Sequence, residues 1–290
     1  MKSLLLSAFT ILCFTANATN YYFSTSGNDA NNGTSTSTPW KTISKFNSVF
    51  ASKSPGDIFL FNRGNVFYGN LIISRSGSSG KPITIGAYGT GANPVISGFT
   101  TVSTWTNLGN NIWESTSTVS GLSTANMVVI NGVNTAMGRY PNTGYLPYQS
   151  FSGTTSITSS SLSGSPNWTG AEAVIRKQRW IIDRNLITAQ SGGKLTYKAS
   201  STYAGQAGYG FFIQNDSRTL DKQNEWYYNH STRKLRIYST STPTNVQITT
   251  KDTLAYMKYR SYITFDNLSF KGANKNAFVI LSSNHITIQN

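Results

Sequence analysis

Residues 262–290, "YITFDNLSFKGANKNAFVILSSNHITIQN", contain one short motif written twice. "YITFDN" at 262–267 returns as "HITIQN" at 285–290. Ile263 thereby matches Ile286, Phe265 matches Ile288 and Asn267 matches Asn290, each pair 23 residues apart. A second apolar run, "AFVIL" at 277–281, falls inside the period. A repeat in the low twenties with more than one short strand per period is what a coil of a parallel β-solenoid requires. Stacked coils place equivalent residues one strand spacing apart, ~4.8 Å. Ile263 and Ile286 would then form an inward aliphatic stack, and Asn267 and Asn290 an amide ladder at a tight turn.

The same texture lies upstream. "DIFLF" (57–61), "NLIIS" (70–74), "PITIGAY" (82–88) and "PVISG" (94–98) are strands of a few residues divided by Gly, Ser or Asn. A meander sandwich shares some of this pattern, but strands this short favour the solenoid. Before them Pro39 fits a first helical position, with Ser37 or Thr38 as cap. Trp40, Ile43, Phe46 and Phe50 then recur at helical spacing until 54–56, "SPG", stops the run. A one-striped helix here suits an N-terminal cap, which a solenoid needs to protect its open edge. "GNDANNG" (27–33) has Asp29, Asn31 and Gly33 in calcium-loop style, yet Trp40 stands where the bidentate acid belongs. A turn network of Asn and Asp side chains is expected instead.

Between 101 and 246 the strands lengthen and alternate strongly: "NIWEST", "MVVINGV", "AEAVIRKQRWIIDRNLITAQ" and "EWYYNHSTRKLRIYS". The last predicts a hairpin around 230–233. These features divide the chain into a signal at 1–18 and a cap with first coils at 19–100. An inserted β-rich subdomain follows at 101–245, then continuing coils at 246–290. The Ser/Thr-rich 153–164 is expected as a loop of the insertion.

Composition agrees with an all-β protein. Only 12% of the 290 residues are charged, 13% are aromatic, and Gly, Ser, Thr and Asn are plentiful. The net charge of +14 arises from scarce acids, 10 against 24 Lys and Arg. Such a surface suits a polyanionic polysaccharide or simply keeps an exported protein soluble. No basic helix or nucleic-acid module appears, so nucleic acid is not the expected partner. Lys2, the apolar run 4–16 and "ANA" (16–18) form a secretory signal too short to span a bilayer. The expectation is a secreted or periplasmic monomer without a membrane segment. The single cysteine, Cys13, lies within that signal, so disulfides do not stabilise the mature chain.

"SGNDANNGTSTSTPWKTISK", "PGDIFLFNRGNVFYGNLIIS" and "SGSSGKPITIGAYGTGANPVISG" resemble the N-terminal portion of bacterial secreted right-handed parallel β-helix proteins. That superfamily includes polysaccharide lyases and several glycoside hydrolase families. "GRYPN" (138–142), "RWIIDR" (179–184) and "EWYYN…KLRIYS" (225–239) look more like the glycoside-hydrolase-type members. The resemblance implies a right-handed parallel β-helix with an N-terminal capping helix and an inserted antiparallel subdomain. It implies action on an extracellular polysaccharide or its oligosaccharides. In such proteins the coils continue well past this length. The chain is therefore expected to be truncated at its C-terminal end, with catalytic residues beyond Asn290 and no turnover by these residues alone.

Candidate chemistry is sparse. Glycoside hydrolysis needs two flanking carboxylates. Asp252 and Asp266 are the only acids from 245 onward, and Glu172, Asp183, Asp216, Asp221 and Glu225 are far apart in sequence. Each is expected to be structural, which leaves the catalytic residues unknown. A lyase or epimerase acting on uronates would use a base such as Lys251, Lys258, Arg260 or Lys271. Only that alternative would call for calcium; otherwise neither metal nor cofactor is expected. His230 and His285 lack metal-ligand spacing. Substrate binding is best placed on "RKQRWIIDR", where Arg176, Arg179 and Arg184 accompany Trp180, with Trp180 and Arg184 foremost, and on Arg139 and Asn142 of "GRYPN". An indole face stacks on sugar, and guanidinium forks take hydroxyls or carboxylates. Arginines on the wet face of an amphipathic strand would give the same pattern. A non-catalytic, carbohydrate-binding or adhesive solenoid is the remaining alternative.

Overall fold

The computed structural model describes residues 18–164 and 166–290. The signal read at 1–18 lies outside the described residues, apart from Ala18. The chain is all-β with mixed sheets and divides into two compact units. One comprises Met1–Gly98, Thr253–Lys271 and Asn276–Asn290; the other comprises Phe99–Asp252 and Gly272–Lys275.

The first unit is built from parallel pairs. Asn20–Phe23, Ile58–Asn62, Ile83–Tyr88, Ser261–Asp266 and Asn284–Gln289 lie side by side in that order, every neighbour parallel. Val66–Tyr68, Val95–Ser97 and Ser269–Lys271 form a second parallel row, and residues 255–257 pair in parallel with Leu71–Ile73. The 23-residue motif is in register: Ile263 pairs with both Ile83 and Ile286, and Phe265 with Ile85 and Ile288. Side chains alternate across a strand, so one parity fills the core. Tyr21, Phe59, Ile85 and Phe265 make one column, Phe23 and Phe61 the next.

Two details depart from expectation. The helix is Ile43–Phe50, capped by Thr42, whose hydroxyl accepts the Lys45 N–H at 3.0 Å. Pro39 and Trp40 precede it because Asp29 binds the Lys41 and Thr42 N–H groups at 2.7 and 3.0 Å, holding that segment extended. Trp40 is buried by stacking on Tyr21 instead of by the helix. The amide ladder is also indirect. Asn267 and Asn290, both at positive φ, each donate to Asp266 Oδ1 at 2.9 Å and do not bond one another.

The second unit is antiparallel. Val133–Thr135, Val128–Ile130, Val246–Thr249 and Phe99–Val102 form one sheet. The hairpin Trp226–Tyr228/Leu235–Tyr238 joins Ile112–Ser115 and Trp105–Asn107 in another. The largest sheet runs Arg139–Tyr140, Gly210–Gln214, Glu172–Gln178, Ile181–Ser191, Lys194–Tyr197, Ser156–Thr158, Ser150–Ser152. Part of the expected 153–164 loop is thus a strand, since Ser156 and Ile157 alternate into register with Thr196 and Leu195 and are buried there.

Candidate functional site

The long hairpin Glu172–Gln178/Ile181–Ser191 sorts its side chains by parity. Ala173, Ile175, Ile187 and their cross-strand partners Phe211 and Ile213 pack into an apolar core. The other parity forms the opposite face, where Glu172 and Val174 are covered by their neighbours and Ile182, Arg184 and Leu186 are exposed. Register places Glu172 opposite Leu186 and Gln214, Val174 opposite Arg184 and Phe212, and Arg176 opposite Ile182. Arg139, on the edge strand, is opposite Gln214 and therefore shares this face. The residues missing from the sequence reading are Phe212, Gln214 and the aromatic rims Tyr145 and Tyr209. Their signal was the alternation of "GFFIQ" (210–214), where Phe211 and Ile213 point in and Phe212 and Gln214 out.

Guanidinium groups and aromatic rings interleave across the face. The Arg139 guanidinium lies 3.7 Å from the Phe212 ring centre, and that of Arg176 lies 4.8 Å from Tyr209. Tyr145 packs against Phe212 at 5.7 Å. Arg184 grips Glu172 bidentately, Nε to Oε2 at 2.9 Å and Nη2 to Oε1 at 3.0 Å, and also donates to Asn126 Oδ1. Gln214 donates to the same Glu172 at 2.8 Å. From Asn126 the network runs through Asn274 to Asp252 and Lys275, with links of 2.8, 2.7 and 2.9 Å. Three arginines face one glutamate here, a local excess of positive charge. Large apolar side chains remain open to solvent around them: Tyr145, Ile182, Leu186 and, 71% exposed at the hairpin tip, Trp180.

The structure therefore brings Arg139 and Arg184 onto one sheet face and sets Trp180 at the end of its hairpin. Asn142 stands apart. It sits in the loop after Pro141 and donates to both oxygens of Asp221, at 2.9 and 3.1 Å. Arg139 braces that same loop, donating to Pro141 O at 3.0 Å and to Gly144 O. Burial pulls the Arg139 guanidinium below its ordinary value, opposed by Tyr145.

Carboxylates for bond cleavage are all engaged. Each of the ten acidic residues accepts hydrogen bonds or an ion pair from a neighbour. Asp183 pairs at 3.0 Å with Lys177, which is fully buried on the core side of the hairpin. Burial raises the Glu225 carboxyl above the usual range, with the charge of Asp221 adding to it. Yet Glu225 Oε2 accepts the N–H groups of Asp221 and Lys222, both at 3.1 Å, which is a turn-capping geometry. No cluster of three or more His, Cys, Asp or Glu suited to a metal occurs among the described residues.

No protein-family model matches the chain. Over 78 residues, 26% of its length, it is 41% identical to a lacto-N-biosidase of Bifidobacterium longum, of which that stretch is 5%. A solved structure described as a glycoside hydrolase superimposes on 89% of the chain with a TM-score of 0.70 and 17% identity. That likeness shows a shared fold, and the chain spans about half, 51%, of that protein. A GH136 lacto-N-biosidase from Eubacterium ramulus aligns with 94% of the chain and 26% of its own at 16% identity, with a TM-score of 0.36.

Proposed function

We propose that this is a secreted, carbohydrate-active protein of glycoside-hydrolase type, acting on an extracellular polysaccharide or its oligosaccharides. The observation that carries the reading is the stretch 41% identical to a lacto-N-biosidase. The fold shared with a glycoside hydrolase and the aromatic-guanidinium sheet face support it. The parallel rows of the first unit are, in this proposal, walls of successive coils of a right-handed parallel β-helix. Their in-register stacking at the 23-residue spacing of Ile263 and Ile286 supports that. Lys2 with the apolar run behind it supports export.

Within these 290 residues the proposed role is holding sugar on the face of Arg139, Arg176 and Arg184, where the one carboxylate, Glu172, is gripped by Arg184 and Gln214. The same observation favours, as second reading, a non-catalytic carbohydrate-binding protein. The secreted protein, collected from medium and incubated with neutral and uronate-containing oligosaccharides, separates these. New reducing ends without the ultraviolet absorbance of an unsaturated uronate are expected of the protein as its host secretes it, whereas these 290 residues by themselves are expected to bind sugar without cleaving it. Absorbance accompanying cleavage would replace hydrolysis by elimination, and binding without cleavage would leave the second reading.

A further inference from the structure

We infer that the sheet face of the second unit selects an acidic sugar and that Arg176 takes its carboxylate, an inference that rests on the carbohydrate reading above. The three arginines of the face are not equivalent. Arg184 is saturated by Glu172 and Asn126, and Arg139 by the carbonyls of its own loop. Arg176 has no acidic partner, since all ten carboxylates are held elsewhere. Its Nη2 donates only to Arg179 O, at 3.1 Å, and its Nε is buried with no acceptor. A buried donor left unmade costs about 1–3 kcal/mol, so an acceptor arriving there gains more than one arriving at a solvated arginine.

The surroundings fix what that acceptor is. Tyr209 beneath the guanidinium holds its plane, and a planar fork pairs best with a planar carboxylate, in two parallel hydrogen bonds. Ile182, directly across from Arg176, and Trp180 at the hairpin tip are both open to solvent. They offer the apolar surface on which the C–H face of a pyranose ring stacks. Charge adds to the selection: three guanidiniums against Glu172 on the face, and +14 on the chain, draw in an anion and repel a cation. A carboxylate-bearing oligosaccharide meets the unmade Nε donor, the apolar rim and the charge together, whereas a neutral one offers Nε an acceptor without the charge.

Calorimetric titration tests this with three probes of equal length: an oligouronate, its methyl ester and a sulfated neutral oligosaccharide. The expected result is an oligouronate preference of about tenfold or more over the ester. Arg176→Gln should abolish that preference and Arg176→Lys restore part of it. A sialylated oligosaccharide distinguishes a terminal from an in-chain carboxylate as the source. Should Arg176→Gln melt early, salt does the same work: oligouronate affinity of the unaltered protein must fall as salt rises while ester affinity holds. Equal binding of acid and ester, a stronger sulfated ligand, or an indifferent Arg176→Gln would overturn the inference. In those cases the glycosidase-type reading survives if neutral sugars bind, whereas a folded protein that binds no sugar removes both.

Discussion

Gly33 shows how narrowly single residues set the cap. Its φ is +73°, and a Cβ there would come within 2.4–2.8 Å of the Trp40 ring. Both the backbone and the space therefore demand glycine. Gly33→Ala is expected to destabilise the protein by about 2 kcal/mol or more, read as a fall in denaturation midpoint without a change in slope. The carboxylates make a second statement at this scale. For Asp29 and Asp216 burial pushes the carboxyl up, but hydrogen bonds outweigh it, from Thr42 and Lys41 in one case and Arg218 in the other. Asn274 lowers Asp252 by more than burial raises it, and Lys275 adds to the lowering. A depressed folded value means stabilisation that is present above the unfolded value, about 3.9, and lost as pH falls through the folded one. Glu225, raised by burial, works in the opposite sense. Melting temperature should therefore drop steeply below about pH 4, and Asp216→Asn should flatten part of that drop. An unchanged profile in Asp216→Asn would show that its bond to Arg218 contributes nothing.

At the scale of elements, much was legible because period translates directly into placement. The repeat of 262–267 at 285–290 predicted parallel, stacked neighbours, and Ile263 does pair with Ile286 in parallel. The strands near 57–61, 70–74, 82–88 and 94–98 appear within a residue or so, as does the hairpin around 230–233. The helix start was misplaced because Asp29 is 12 and 13 residues from the amides it captures, a distance no local capping rule spans. The sheet face was half legible for a related reason. Arg184 and Trp180 share a hairpin, but only register joins Arg139 to Gln214 and Gln214 to Glu172. Pairing between distant strands is not written in either strand alone. The parallel rungs can be checked covalently. In a Cys13→Ser background, Thr264→Cys with Thr287→Cys places thiols on directly paired neighbours, within the reach of a disulfide at adjacent-strand spacing. Oxidation should yield an intramolecular crosslink seen by mass and by lost thiol titre. Thr264→Cys with Gln289→Cys, out of register, should crosslink poorly.

At the scale of the molecule, the two units divide the physical tasks. In the first, parallel pairing repeats and apolar columns such as Tyr21, Phe59, Ile85 and Phe265 carry the stability. In the second, antiparallel sheets leave one face wet, which frees that face to carry arginines and exposed rings. In the proposed function, that face is where sugar is held. The most direct test of that placement is tryptophan fluorescence, recorded for the unaltered protein and for Trp180→Phe during titration with oligosaccharides. With 6 tryptophans in the chain, the difference between the two titrations isolates the indole at the hairpin tip. A saturable blue shift is expected on sugar addition and is expected to be absent from Trp180→Phe, with both proteins melting alike because that side chain is 71% exposed. An identical response in both proteins, or no response to any acidic or neutral oligosaccharide, would contradict that placement.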